Sequence, residues 1–374
     1  MQYRRMPGVD APLSVLGFGA MRLPKSPDGR IDRPAATALV RRAVDGGITY
    51  VDTAYPYHDG ESEPFLGEAL GDGYRERVQL ATKLPGWLVA CRADMDRLLG
   101  EQLERLRTDT IDLYLLHGMT GEGFERHAGL GVLEFLDDAL ADGRIGHAGF
   151  SFHDDLAAFV RIADAYDWTF CQVQYNYIDV HYQGGAEAVR YAAERGLGVV
   201  VMEPLRGGAL ARPIPGAAEL WASAGPDRTP AGWGLAWLWD QPEVTVVLSG
   251  MSSMEQLAEN LVWADRAAPG SLSPAERAVY ERVRELYRNR AAIGCTRCGY
   301  CQPCPSGVDI PECFSLYNEA FIYGDPAGAR SGYHIFARYG GAASNCTDCG
   351  RCEEHCPQKL PIRKHLKAVR DLFG

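Results

Sequence analysis

Eight short apolar runs alternate with amphipathic segments along the first 290 residues, and this alternation limits the possible folds more than any other feature of the chain. The runs are residues 15–19, 48–52, 78–83, 111–117, 145–151, 170–175, 197–203 and 244–250. Helical patterns lie between them at 34–45, 93–105, 131–141, 154–165 and 186–195. The first of these has Pro34 near its start and Gly46-Gly47 just past its end, which is helix start and stop chemistry. Eight such alternations in about 250 residues predict an α/β fold, a (β/α)8 TIM barrel, rather than an open doubly wound sheet. The open sheet would use Gly17-Phe18-Gly19 as its dinucleotide loop. That fingerprint needs a third glycine and an immediate helix, whereas Ala20-Met21-Arg22-Leu23-Pro24 leads into a loop. The glycines read as a tight turn.

In a parallel barrel the chemistry collects at the C-terminal ends of strands. Asp52 and Tyr57 follow the second run, Lys83 closes the third, and His117 closes the fourth. A lysine and a histidine ending apolar strands are costly to bury unless paired. Together the four make a proton-delivery site. Tyrosine ordinarily ionises near pH ~10, and a neighbouring ammonium is expected to lower that value while a carboxylate holds the lysine in place. A histidine facing the same point can orient a carbonyl oxygen. Such a site protonates a carbonyl oxygen while hydride arrives at carbon. Each residue alone has an ordinary structural reading as a turn cap, an ion pair or a rim histidine; four at successive strand ends favour the machine.

At these positions the chain resembles the aldo-keto reductases over residues 13–265. The motifs are V-L-G-F-G at 15–19, V-D-T-A-x-x-Y at 51–57, T-K at 82–83, L-L-H at 115–117, G-F-S at 149–151, Q-x-Q-Y-N at 172–176 and L-A-E-N at 257–260. The resemblance implies a catalytic tetrad of Asp52, Tyr57, Lys83 and His117, and a nicotinamide cofactor bound without a separate dinucleotide domain. It implies Ser151 and Gln174 at the carboxamide, and Glu259 and Asn260 at the adenine end. Two departures stand out. Phe152 and His153 follow the G-F-S motif where many members have asparagine. Ser249-Gly250-Met251 and Gln256 stand where many members place a lysine and an arginine on the 2′-phosphate of NADP. Ser249 and Gly250 are therefore candidate cofactor residues without a cation, leaving both NADP and NAD open. Arg206 could serve the pyrophosphate or be a solvated loop arginine. The long Gly/Pro-rich segment 206–230 is expected to fold over cofactor, with Tyr55 and Trp87 as pocket walls.

Of eleven cysteines, Cys91 and Cys171 are alone in the first 290 residues, and nine fall between Cys295 and Cys356. That shift marks a separate module, and in a reducing compartment clustered thiols point to metal rather than disulfides. One run supplies Cys295, Cys298, Cys301 and Cys304; the other supplies Cys346, Cys349, Cys352 and Cys356 and fits C-x2-C-x2-C-x3-C-P in full. Zinc is the alternative, but it takes two separated pairs into one tetrahedron, and two triple runs leave too many thiolates. The pattern resembles ferredoxin-type modules with two [4Fe–4S] clusters. That resemblance implies Cys295, Cys298 and Cys301 with Cys356, and Cys346, Cys349 and Cys352 with Cys304. The first run departs from it, since Cys304 follows Cys301 by x2, so one cluster or two remain open. Segment 310–323, with Phe314, Tyr317 and Phe321 on one helical face, points to a small, mainly helical iron–sulfur domain, and Cys313 reads as buried. The expected division is a barrel at 1–270, a bridging helix at 271–290 and the iron–sulfur domain at 291–374.

After residue 290 there are nine Lys/Arg and eight Asp/Glu, so the formal charge of −11 sits in the first 290 residues. That balance argues against nucleic acid or an anionic membrane as main partner. No stretch is apolar enough to span a bilayer, and M-Q-Y-R-R-M-P-G does not read as a secretory signal, so a cytoplasmic location is expected. The functional reading is an NAD(P)-dependent oxidoreductase interconverting a small carbonyl and an alcohol, with clusters that are structural or serve a redox protein partner. The alternative is a non-catalytic scaffold that senses nucleotide and redox state.

Overall fold

Each of the eight apolar runs is a strand in the computed structural model, which describes all residues except 213, 226, 227, 296, 298, 339 and 357. A short antiparallel pair, β1 (Tyr3–Arg4) and β2 (Leu13–Ser14), precedes them. The runs then form β3 (Leu16–Gly19), β4 (Tyr50–Asp52), β5 (Gln79–Leu84), β6 (Ile111–Met119), β7 (Ile145–Phe152), β8 (Phe170–Gln174), β9 (Gly198–Met202) and β10 (Val244–Ser249). They pair in parallel in chain order and close, β10 returning to β3. Such strands are buried on both faces and so read as near-continuous apolar runs; every residue of β10 is buried. The register sets Gly19 beside Asp52, Asp52 beside Ala81, and Lys83 beside Leu115. The polar strand ends therefore share one rim.

The expected tight turn at Gly17–Gly19 is a strand instead. A Cβ on Gly17 would lie 2.8 Å from Leu248 Cδ2 and 2.9 Å from Val246 Cγ1, so this glycine makes room inside the barrel. Tyr50, Leu113, Leu115, Phe170, Val200 and Val246 fill that interior, together with Met6 and Leu13 from the N-terminal segment.

The helices of the first 272 residues are α1 (Arg33–Asp45), α2 (Ser62–Ala69), α3 (Arg92–Leu106), α4 (Gly121–Gly129), α5 (Val132–Ala141), α6 (Leu156–Asp164), α7 (Gly185–Glu194), α8 (Ala217–Ala222), α9 (Pro230–Trp239) and α10 (Met254–Asp265). Helix α1 begins where the Asp32 carboxylate accepts from Ala35 N and ends at Gly46, with Gly47 at φ 94°. This is the N-cap and glycine stop its sequence announces.

Two compact units divide the chain: Met1–Leu210 with Ala231–Leu272, and Ala211–Pro230 with Ser273–Gly374. The second unit holds α8 and then α11 (Pro274–Arg290), α12 (Ile310–Ile322), α13 (Pro326–Ala337), α14 (Arg351–His355) and α15 (Ile362–Phe373). Helix α11 opens with a reciprocal Ser273–Glu276 capping box. Phe314, Tyr333, Leu366, Val369 and Phe373 build the core of this unit. Of the expected aromatic face on α12, Phe314 is buried and Phe321 is 43% exposed, its ring tilted against Tyr317 at 4.9 Å between centroids. Most of the segment expected to cover cofactor belongs to this second unit: Trp221 packs edge-on against Tyr280, and Arg212 lies over Tyr323. No helix among the described residues is long and apolar enough to cross a membrane.

Candidate active site

Asp52 and Lys83 meet at the rim as a buried ion pair, Lys83 Nζ donating to Asp52 Oδ1 at 2.6 Å and to the Thr53 carbonyl at 2.8 Å. The second carboxylate oxygen of Asp52 accepts from Gln172 Nε2 at 2.9 Å. Gln172 lies on β8, across the barrel, and sequence reasoning did not assign it a role. All three side chains are buried. Deleting either charge strands the other, which costs ~3–5 kcal/mol.

Tyr57 stands over this pair. The chain leaves β4, passes Pro56, and turns through Tyr57–Gly60 with His58 and Asp59 at positive φ. The Tyr57 ring centroid is 5.5 Å from Lys83 Nζ and 6.4 Å from the His117 ring, edge to face. Trp87, largely exposed, lies 5.3 Å from His117 on the other side. Burial raises the Tyr57 pKa above its ordinary value; Lys83 opposes this and Asp52 adds to it. The expected lowering is thus reversed, because desolvation outweighs the ammonium. Burial lowers the Lys83 pKa, but Asp52 and Tyr57 more than compensate and leave it above 10.5. Burial, with Lys83 nearby, lowers the His117 pKa to about 3. At neutral pH the site is therefore a protonated phenol, an ammonium and a neutral imidazole, and His117 Nδ1 is buried without a hydrogen-bond partner among the described residues.

Behind Lys83 lies a buried polar cluster. Glu63 accepts from Thr82 Oγ1 and Gln102 Nε2, both at 2.7 Å, and from Arg105 at 3.3 Å. Gln102 also donates to the Lys83 carbonyl at 3.0 Å and accepts from Tyr114. Tyr55, expected as a pocket wall, is held by this cluster: its hydroxyl accepts from Arg105 at 2.9 Å, and the guanidinium lies 4.0 Å from its ring centre. His58, in the same turn as Tyr57, is half-buried and accepts from Leu23 N.

The remaining rim residues come from later strands. Ser151 Oγ accepts from Gly118 N at 2.7 Å, and Gln174 is buried at the end of β8. Asn260 Nδ2 donates to Ser249 Oγ at 3.1 Å, tying α10 to the end of β10. Glu259 sits one residue earlier on α10. Arg206 pairs through Nε with Asp179 at 3.1 Å, so its guanidinium is engaged by the protein rather than solvated. Arg22, which the sequence did not single out, lies between two glycine loops. A Cβ on Gly207 would come within 2.7 Å of its Nη2, and one on Gly250 within 3.1 Å of its Cδ. These close approaches and the positive φ of Gly207 and Gly208 make a small cationic cradle at the rim. It suits a phosphate of a nicotinamide nucleotide.

The cysteines of the second unit line two cavities. One, of about 380 Å³, is bordered by Cys301, Cys304, Cys346, Cys349 and Cys352. The other is bordered by Cys295, Cys301 and Cys356, among Ile310, Phe314 and Ile362. Cys298 lies outside the described residues. The two cysteine loops share one backbone form: Arg297 N donates to Cys295 Sγ and Asp348 N to Cys346 Sγ, both at 3.4 Å. Arg297, Gly299, Asp348 and Gly350 all have positive φ. Thiols wrapped by backbone N–H donors around a cavity fit an iron–sulfur cluster, whose sulfurs are tuned by such bonds. Among the described residues no three His, Cys, Asp or Glu side chains are grouped to hold a metal ion. Cys313 stands apart: it is fully buried, donates to the Gly341 carbonyl, and has its thiol pKa raised by burial to about 12.

Known proteins resemble both units. Residues 15–267 match the Aldo/keto reductase family, and residues 294–360 match the 4Fe-4S dicluster domain. An uncharacterized oxidoreductase of Bacillus subtilis is 26% identical over 293 residues, covering 70% of this chain and 90% of its own. A 6-dehydroglucose reductase of Novosphingobium aromaticivorans is 30% identical over 272 residues, covering 66% of this chain and 85% of its own. Among solved structures, the holo form of an aldo-keto reductase from Bacillus halodurans superposes with a TM-score of 0.64 at 27% identity, covering 76% of this chain and 96% of that one. One from Klebsiella pneumoniae in complex with NADPH gives 0.61 at 27% identity with the same coverage.

Proposed function

Since this chain belongs to the aldo/keto reductase family, we propose that it reduces a small carbonyl compound to an alcohol at the barrel rim, with Tyr57 as proton donor. The chain is an oxidoreductase of that family and carries an iron–sulfur module. The observation that carries the reading is the buried Lys83–Asp52 pair lying under a protonated Tyr57.

A reduced nicotinamide nucleotide, when bound, supplies the hydride. Ser151 and Gln174 would hold its carboxamide, Arg22 and Arg206 would serve its phosphates, and Ser249, Gly250, Glu259 and Asn260 would border its adenine end. The Klebsiella pneumoniae relative solved with NADPH favours NADP over NAD. Neutral His117 orients the substrate oxygen. As the carbonyl carbon accepts a hydride, the electrons of the C=O π bond move to oxygen, which takes the Tyr57 proton. The phenolate left behind is stabilised by Lys83, which Asp52 and Gln172 hold in place, and is reprotonated from solvent.

In the second unit Cys295, Cys298 and Cys301 with Cys356 would hold one [4Fe–4S] cluster, and Cys346, Cys349 and Cys352 with Cys304 would hold another. Cys304 beside Cys346, Cys349 and Cys352 at one cavity, and Cys356 beside Cys295 and Cys301 at the other, support this pairing, with Cys301 bordering both. The clusters, when assembled, supply one-electron steps, and a separate redox protein is their partner, since the hydride reaction itself moves two electrons.

Two assays test these readings. Tyr57→Phe should bind NADPH normally and lose aldehyde reduction; wild-type turnover by this variant would remove Tyr57 from the mechanism. Iron and sulfide analysis of anaerobically purified protein should give about eight of each per chain, and a value near four would reduce the module to one cluster.

A further inference from the structure

The cluster around Glu63 lies behind the rim, buried except at its Arg105–Tyr55 end, and it reaches both halves of the proton-delivery site. One arm runs through Gln102, which is bonded to Glu63 at 2.7 Å and to the Lys83 carbonyl at 3.0 Å, and through Thr82, the residue before Lys83. The other arm runs through Arg105, which contacts Glu63 and then the Tyr55 hydroxyl, two residues before Tyr57. Glu63 is thus the shared anchor of the strand end that carries Lys83 and the turn that carries Tyr57.

The cluster is an expensive thing to bury. Glu63, Thr82, Gln102 and Tyr114 are fully buried, and a carboxylate taken from water costs several kcal/mol unless its bonds are nearly complete. Here they are. Oε1 accepts from Thr82 and Gln102, Oε2 accepts from Arg105, and Tyr114 completes Gln102.

We infer that Glu63 is a positioning residue that sets the separation of Lys83 from the Tyr57 ring and, through that separation, the acidity of the proton donor. This rests on Tyr57 being the donor. The ammonium is the group that opposes the upward pull of burial on the phenol, so its effect falls as the two move apart. The turn carrying Tyr57 has a defined shape, with His58 and Asp59 at positive φ and Tyr57 N donating to the Ala54 carbonyl at 3.1 Å, so its distance from Lys83 depends on where Tyr55 is held. Arg105, with a longer bond from the Tyr55 hydroxyl to Glu101 at 3.3 Å, fastens that turn to α3.

The test is Glu63→Gln, measured with Arg105→Met and Tyr57→Phe on the cluster-loaded full chain. Glutamine keeps the oxygen facing Thr82 and Gln102 but turns an N–H₂ toward Arg105, so the Tyr55 arm breaks while the Lys83 arm stays. Expected results are a fall in kcat of about tenfold to a hundredfold, an unchanged KM for NADPH, and a rise in the pH at which alcohol oxidation, which needs the phenolate, reaches its plateau. Arg105→Met should reproduce the same pattern, and the double variant should be no worse than either, because both cut one arm. Arg105 is partly exposed, so this variant tests the arm even where Glu63→Gln does not fold. Wild-type kcat and pH profile in the folded variants, whatever their thermal stability, overturn the inference and leave the cluster purely structural. Full activity in Tyr57→Phe overturns both the inference and the donor assignment, whereas an inactive Tyr57→Phe beside a wild-type Glu63→Gln overturns the inference alone.

Discussion

The barrel rim and the cysteine cavities hold their chemistry in opposite ways. At the rim the protein completes itself: Asp52, Lys83, Gln172 and the Thr53 carbonyl satisfy one another, and Gln102 anchors the strand behind them. In the second unit the Cys295 and Cys346 thiols receive backbone N–H bonds, and the cysteines border cavities that the proposed clusters would fill. The two units differ in charge as well. The barrel unit has 22 Lys/Arg against 36 Asp/Glu, and the cysteine unit 16 against 13. A reaction site made by the chain is therefore joined to one made by its cofactor, and the two should fail under different conditions.

Removing iron gives the largest contrast. Chelation under reducing conditions should abolish the visible absorbance and melt most of α12 to α15, because cofactor binding and folding are coupled in small metal domains. The barrel transition in calorimetry should stay in place. If the barrel melted with the clusters, the separation drawn between the units would be wrong.

Lys83→Met is the complementary damage. It should lower barrel stability by ~3–5 kcal/mol in denaturant titration by leaving Asp52 buried without its counter-charge, and end turnover. Iron content should not change. Lys83→Met with Asp52→Asn should recover part of the stability and none of the activity.

Gly17→Ala is a smaller effect confined to the barrel interior. The added methyl meets Leu248 and Val246 and should cost ~1–3 kcal/mol by overpacking. The catalytic pH profile should be that of the wild type; an altered profile would mean that the interior and the rim are coupled.

The pH response of His117 is the finest probe. Its pKa is lowered from 6.5 to about 3, so turnover should show no acid limb near pH 6.5. For stability the sign follows from proton uptake: below pH 6.5 the unfolded chain gains a proton that the folded chain refuses until about pH 3. Stability contributed by neutral His117 is therefore complete above 6.5 and lost across that window, and His117→Asn should flatten this part of the titration.

Much of this was legible in the sequence, for identifiable reasons. The eight strands were visible because parallel strands buried on both faces are apolar throughout. Asp52, Lys83 and His117 were visible because each polar residue interrupts or ends such a run. What escaped depends on long-range approach. Gln172 is 120 residues from Asp52 along the chain, and only the closed barrel brings them together. Arg22 is one arginine in a loop until Gly207 and Gly250 come against it. Glu63 and Gln102 carried no signal in the sequence, since they meet only when α2 packs against α3, 39 residues apart along the chain. The direction of the Tyr57 shift was misjudged because a sequence shows the neighbouring lysine but not the depth of burial. Phe321 fitted the periodicity of α12 and faces outward all the same, since periodicity names a stripe but not its edge.

Single-turnover stopped flow bears most directly on the proton-delivery site. Cluster-loaded wild type and Tyr57→Phe would be saturated with NADPH, mixed with a test aldehyde, and followed at the nucleotide and cluster absorbances separately. Nucleotide oxidation should slow by about 10²–10⁴-fold in Tyr57→Phe, with NADPH affinity retained and the cluster signal unchanged in both proteins. Equal rates of nucleotide oxidation in the two proteins would contradict the assignment of Tyr57 as the proton donor.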